Sequence, residues 1–341
     1  MTSVAIVIPA FNRLGPLRQT LRSAAAALAR YARDDSELLL VDDGSTPPLA
    51  DQLSGEDFGW PITHLRQANQ GSIIARQTGL LAARAGWILF LDSDDLIPPE
   101  KFPVQLGAIP SGGCDLVYAD MARAHLEKSN TLRYERAGTL DRTEDPAEFF
   151  LCIQPAPHNP VYRRGYLLSH LSDLLVPAER RFDPAGDAWL YYNLCIHPAR
   201  IVKIEAPLAA SGVHAELRFS HHWEELGVAA LGIMESFGRH CPVNAATLHA
   251  RTLVGERAFL SWRGLPRGFD PAFVRRMLAI WQRSPRGPLS RLGQRGFTRL
   301  ARLFGPEFAA RLLRLRNPSY DRVRTLDTAE YDVLFDALHR S

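Results

Sequence analysis

Apolar positions in the first hundred residues fall into short unbroken runs separated by helical repeats. Val4–Ile8, Leu38–Val41 and Trp87–Leu91 contain no polar residue, which is the pattern of strands covered on both faces of a sheet. A further short strand is expected near Ile62–Leu65. Leu14, Leu17, Leu21, Ala25 and Leu28 recur at helical spacing and predict an amphipathic helix over about 14–31. Residues 71–85 read as a second helix, with Asn69-Gln70-Gly71-Ser72 as its cap region. Strands alternating with helices through short connections predict a doubly wound parallel sheet over this stretch. Ligands of such sheets bind beyond the carboxyl ends of the strands.

Polar clusters sit at three of those ends: Pro9–Asn12, Asp42–Thr46 and Asp92–Asp95. One nucleotide pocket can be lined by all three. Asp92 and Asp94 are two residues apart, so on extended backbone they leave the same face. Three carboxylates this close repel one another unless solvent or a cation neutralises them. Oxygen donors of this kind suit Mg2+ or Mn2+, with substrate phosphates completing the shell. A solvated acidic loop is the bland alternative, and the metal reading is preferred.

After Asp95 the pattern changes. Asp115–Ala119 reads as a strand, residues 121–137 as a hairpin beside it, and Ile201–Ile204 as another strand. Residues 146–198 mix short helices with proline-rich loops and end in a helix start at Asp187–Tyr192, where an aspartate can serve as an ordinary cap. From about 222 onward the chain is helical and basic, broken at Gly264-Leu265-Pro266, Ser284–Pro288 and Gly305-Pro306.

The 341 residues suffice for one large domain with an appendage, or for two. The net charge of +3 excludes nothing by itself, but its spread is uneven: residues 1–100 hold 8 Arg against 12 Asp/Glu, residues 251–341 hold 18 against 8. No nucleic-acid partner is expected. Cys114, Cys152, Cys195 and Cys241 lie far apart, so neither a disulfide framework nor a zinc site is indicated. The absence of a signal-peptide pattern and of a membrane-length apolar run points to a cytoplasmic protein, or one on the cytoplasmic membrane face. Leu289, Leu292, Leu300 and Leu303 form an apolar stripe beside Arg291, Arg295, Arg299 and Arg302. Such basic helices can lie peripherally on an anionic membrane, although packing against the parent domain is the more frequent arrangement.

Ile8–Asn12, Val41–Ser45, Asn69-Gln70-Gly71 with Ala75-Arg76, and Leu91–Asp95 occur in the order and spacing of family 2 glycosyltransferases. The chain resembles that family closely over 3–105 and loosely to about 220, but not beyond. The resemblance implies an α/β GT-A fold: a doubly wound mixed sheet in residues 1–220, followed by a basic helical region over 221–341. It also implies a nucleotide-sugar donor, with UDP as the expected nucleotide, a Mn2+ or Mg2+ ion, and inversion at the anomeric carbon. Carried over, Pro9, Phe11 and Asn12 border the nucleoside, Asp43 accepts from a base N–H, and Arg76 lies near the nucleotide. Asp92 faces the ribose or the metal. Asp94 ligates the metal, with Asp95 as its alternative and His214 as a further ligand, followed by Ser220. Asp187 falls on the position of the catalytic base, with Asp183 as fallback. Gly186 stands where the family commonly has Glu. His158, Trp189 and Trp223 are candidate acceptor-site groups.

The implied reaction moves a sugar to a hydroxyl of a carbohydrate, lipid-linked or protein acceptor, in cell-surface polysaccharide or glycoconjugate synthesis. Two alternatives stand beside it. A sugar nucleotidyltransferase would carry a glycine-rich, lysine-containing loop after the first strand, which Asn12-Arg13-Leu14-Gly15-Pro16 is not. A degenerate docking module would draw its support from Gly186.

Overall fold

In the computed structural model, which describes residues 3–126, 132–211 and 222–338, alternate residues of the first strand serve two different cores. Strand β1 (Val4–Ala10) sends Val4, Ile6 and Ile8 toward Leu17, Leu21 and Leu28 of the helix Leu14–Tyr31. Ala5 and Val7 face the other way, toward Ile73 and Leu80 of the helix Ser72–Ala82. A strand covered on both faces needs an apolar residue at every position, which is why the run is unbroken. Gly79 brings the second helix close, because a Cβ there would sit 2.2 Å from Val7 Cγ1.

β1 pairs in parallel with β2 (Glu37–Asp42) and β4 (Trp87–Phe90), and β3 (Ile62–Arg66) extends the sheet beyond β2. Ala10 lies opposite Asp42 and Val7 opposite Phe90, so these strands end at one edge of the sheet. This half is the parallel sheet expected. The other half is mixed. The strand expected at 115–119 and the first arm of the hairpin expected beside it are one strand, β5 (Leu116–Leu126), which pairs antiparallel with β6 (Leu132–Gly138), and β8 (Ile201–Ser211) lies parallel to β5. The two halves are joined by β7 (Val161–Arg163), antiparallel to both β4 and β5. Three residues are too few for a period, so this strand carries no sequence signal of its own.

The basic region beyond 222 is helical, as expected, and lies on the face of the sheet carrying Ala5 and Val7. One apolar cluster holds Phe182, Trp189 and Tyr192 together with Phe237, Phe259, Trp262 and Trp281. Gly232, in the helix Trp223–His240, admits the Phe182 ring; a Cβ there would sit 2.8 Å from it. Arg257 donates to Gln154 at 2.6 Å, and Arg291 bridges Glu148 and Glu256 at 2.7 Å each. Leu292 is buried, Leu289 and Leu300 pack against the main cluster, and Leu303 is exposed. The predicted leucine stripe is therefore mostly an inward face, and Arg291 is engaged by carboxylates. No described helix is long and apolar enough to cross a membrane.

Candidate active site

Five segments meet at the edge where β1, β2 and β4 end, and polar contacts join each to the next. Asn12 takes a left-handed conformation (φ 48°) that brings its backbone N–H to Ser45 Oγ at 2.9 Å. Its side-chain oxygen accepts from the Thr46 N–H at 2.9 Å. Asp43, buried, accepts from Gln67 Nε2 at 2.7 Å and from the backbone N–H groups of Gln70 and Gly71 at 2.9 and 2.8 Å. Its carboxylate is thus occupied in shaping the loop before the second helix. Asp42 accepts from the Ser45 and Leu49 N–H groups and from Arg66 at 2.7 Å. These contacts hold its carboxyl below the usual range, against the opposing cost of burial.

The helix Ser72–Ala82 has no cap from its own sequence neighbours. Asp183 supplies one from a distance, accepting from the Ile73 N–H at 2.9 Å and from Ser72 Oγ at 3.2 Å. Only a glycine fits at 71, where φ is 97° and a Cβ would sit 1.6 Å from Asp183 Oδ2. Burial raises the Asp183 carboxyl above its ordinary value, although these donors favour its charged form.

One turn into that helix, the buried Arg76 guanidinium bridges two carboxylates. Nη2 donates to Asp92 Oδ1 at 2.6 Å and Nη1 to Asp187 Oδ1 at 3.1 Å. Asp187 stands in the first turn of the helix Gly186–Leu194 with its side chain 45% exposed, so it lines an open cleft rather than a sealed core. Desolvation in that cleft pushes its pKa up to about 6, helped by Asp92 and Asp95 and opposed by Arg76. A Cβ at Gly186 would lie 3.2 Å from Arg76 Nη1, so the glycine leaves the guanidinium its room.

Beyond Asp92, the Asp94 carboxylate is 3.2 Å from Arg13 Nη2, which ties the acidic loop to the one after β1. The Asp95 carboxylate lies 2.8 Å from Nδ1 of His158, a fully buried ring. Oxygen donors at a partly open edge fit a hard divalent ion. Among the described residues, however, no three His, Cys, Asp or Glu side chains are grouped to hold one alone. The set fits an ion completed by phosphate oxygens rather than a closed protein cage.

The structure thus brings Phe11, Asn12, Asp43, Arg76, Asp92, Asp94, Asp95, Asp183 and Asp187 to one sheet edge. Phe11 is 47% exposed there. Pro9 is not at the surface; it is buried within β1, opposite Val41. His214 and Ser220 lie outside the described residues. Trp189 donates to the Val176 carbonyl at 2.9 Å and Trp223 to that of Val323 at 2.7 Å, so both indoles are tethered to neighbouring backbone. Arg13 and Gln67 were not singled out from the sequence. Arg13 follows Asn12 directly, but nothing in the local pattern announces that it reaches Asp94.

The family model described as Glycosyl transferase family 2 matches residues 5–174, which include every loop of this edge except the one carrying Asp183 and Asp187. The chain belongs to glycosyltransferase family 2. It is therefore an enzyme of that class, and the nucleotidyltransferase alternative falls away. EpsH of Bacillus subtilis (strain 168), whose own glycosyltransferase assignment is provisional, is 24% identical over 243 residues, 69% of this chain and 67% of EpsH. The succinoglycan biosynthesis protein ExoW of Rhizobium meliloti (strain 1021) is 32% identical over 146 residues. That match covers 39% of this chain and less than half (45%) of ExoW. Among solved structures, S. aureus TarS 1-349 in complex with UDP-GlcNAc superposes with a TM-score of 0.61 at 16% identity, covering 92% of this chain and 90% of that one. The mannosyltransferase PcManGT of Pyrobaculum calidifontis, in complex with GDP-Man and Mn2+, gives 0.51 at 15% identity over 92% and 87%. At these identities the likeness establishes the GT-A-like fold with its C-terminal helical region.

Proposed function

We propose that this glycosyltransferase moves a sugar from a UDP-sugar to an acceptor hydroxyl with inversion, and that Asp187 is its general base. The observation that carries the reading is the Asp92–Arg76–Asp187 bridge, which fixes the Asp187 carboxylate in the same cleft as Asp94, where desolvation raises its pKa. A carboxylate whose pKa is raised toward neutrality stays mostly ionised at neutral pH yet is more basic than an ordinary one, and a general base of this kind is worth about 10²–10⁴ in rate. Removal of the hydroxyl proton makes the oxygen nucleophilic, and attack opposite the departing diphosphate inverts the anomeric centre. Phe11 offers an exposed ring for the base. Asn12 and Asp43 hold the two loops that would flank the nucleoside. Asp94, with Asp95 steadied by His158, would hold a Mn2+ or Mg2+ ion against the pyrophosphate; bound there, it neutralises charge on the leaving group.

The complex of TarS with UDP-GlcNAc motivates the choice of donor. ExoW, a succinoglycan biosynthesis protein, motivates a polysaccharide or glycoconjugate acceptor. The domain boundary is taken at residue 220, with the helical layer that follows acting as a support for the base loop through Phe182. Incubating the purified protein with UDP-GlcNAc and Mn2+ should release UDP, and release should stop on chelation. A protein that hydrolyses or binds none of a panel of UDP-sugars overturns the donor assignment.

A further inference from the structure

We propose that the helix pair Arg295–Phe304 and Pro306–Arg314 docks this enzyme onto an anionic lipid bilayer. The pair is held by one face only. Phe297, Ala301, Ala309 and Ala310 are buried in the main cluster, Arg263 stacks on Phe297 and Arg314 on Trp262. Beyond those buried positions the pair leaves large apolar side chains open. Leu303, Phe304, Phe308, Leu312 and Leu315 are each 41–77% exposed.

Phe304, Phe308, Leu312 and Leu315 are neighbours rather than scattered exceptions. Phe304 and Phe308 meet across the Gly305 turn with ring centroids 5.4 Å apart. Phe308, Leu312 and Leu315 recur at the i, i+4, i+7 spacing of one helical stripe. Exposed large apolar groups in contact with one another mark an interaction site.

The charges around the stripe choose the partner. Arg299, Arg302, Arg311 and Arg316 are exposed beside it, and no ion pair to any of them is found among the described residues. Arginine stems can lie along an apolar surface while their heads reach for phosphate. A helix face carrying Phe and Leu with Arg at its margins is the composition that settles at the boundary between headgroups and acyl chains. A second copy of the chain fits less well. A two-fold contact through this face would gather both copies' arginines into one interface. This surface differs from the leucine stripe read in the sequence, most of which faces inward, and it does not depend on the identity of the donor or acceptor.

Flotation of the intact protein with phosphatidylcholine vesicles, with and without phosphatidylglycerol, tests the proposal. The wild type should float with the anionic vesicles, bind the neutral ones about tenfold less, and lose binding as salt is raised. Replacing Phe304, Phe308 and Leu312 together by Ser should reduce binding about tenfold or more with the thermal melt unchanged. A second variant, Arg302→Gln with Arg311→Gln, leaves the apolar face intact and should weaken only the anionic-vesicle binding. Failure of the wild type to float with either vesicle overturns the proposal, as does undiminished binding by both variants. So does a dimer in light scattering that the serine substitutions dissociate while vesicles are ignored, since the face would then be a self-association surface.

Discussion

Arginines occupy both the cleft and the C-terminal helical layer, and the two regions use most of them differently. In the cleft each arginine answers carboxylates: Arg76 holds Asp92 and Asp187, Arg66 holds Asp42, and Arg13 faces Asp94. In the helical layer arginines lie on aromatic rings, as Arg286 does on Trp281 at 3.8 Å, Arg263 on Phe297 and Arg314 on Trp262. Others there, such as Arg302 and Arg311, face solvent, while Arg291 and Arg276 meet carboxylates as the cleft arginines do. The difference follows from what each region must gather. On the proposed function, the cleft collects acids to hold a cation against a diphosphate, and bases that keep those acids from repelling one another. A layer built to cover a sheet collects aromatic surface, and an arginine can roof that surface with its flat guanidinium.

The sharpest test of the cleft is Asp187→Asn. It keeps the shape and removes the proton acceptor, so transfer should fall by about 10²–10⁴ while titration shows donor binding retained. Near-wild-type transfer would move the base elsewhere. The same carboxylate sets a pH limb. With its pKa raised to about 6, Asp187 is protonated below that pH and charged above it. Activity should therefore drop with falling pH through about 6, roughly tenfold for each further unit. A limb near pH 4 in a kcat/KM profile would show that the cleft does not perturb this group.

Arg76→Met should come next in size. It leaves Asp92 and Asp187 facing one another without their shared cation, at a cost of about 2 to 3 kcal/mol in urea unfolding. The loss is expected at the lower end for a buried pair because both carboxylates reach solvent. Removing that cation should also push the acid limb to higher pH, since Arg76 opposes the rise in the Asp187 pKa. Asp183 separates structure from chemistry. Asp183→Ala loses the cap on Ser72–Ala82 and should cost about 1 kcal/mol, whereas Asp183→Asn keeps an oxygen acceptor and should be close to neutral. If Asp183→Asn instead abolishes transfer, the fallback base is the real one.

Much of this was legible in the chain because buried parallel strands announce themselves. The runs at Val4–Ile8, Leu38–Val41 and Trp87–Leu91 carry no polar residue, and their ends locate the acidic loops. What the sequence could not show were contacts made across long separations. The cap on residue 73 comes from residue 183, and Arg76 reaches 111 residues ahead to Asp187. A capping signal is sought within a turn of the helix it serves, so Asp183 looked like a spare carboxylate. The strand Val161–Arg163 is defined by the edges it joins, not by its own three residues. Gly186 read as a missing acid, but the structure gives it a second meaning, clearance for the Arg76 guanidinium.

The smallest effect expected is the one that decides whether the comparison between the two regions holds. Arg314 stacks on Trp262 with its guanidinium carbon 5.3 Å from the ring, and burial pulls its pKa below the ordinary arginine value. The attraction to the ring, about 0.5–1 kcal/mol, is therefore offset in part by the cost of keeping that charge away from water. Arg314→Met retains an unbranched stem over the indole and removes both the attraction and the desolvation. Its net cost in urea unfolding should be under about 1 kcal/mol, well below that of Arg76→Met, because no carboxylate is left stranded. Equal losses from the two substitutions would mean that arginine acts in the helical layer as it does in the cleft, through a charge partner that the stacking geometry does not supply.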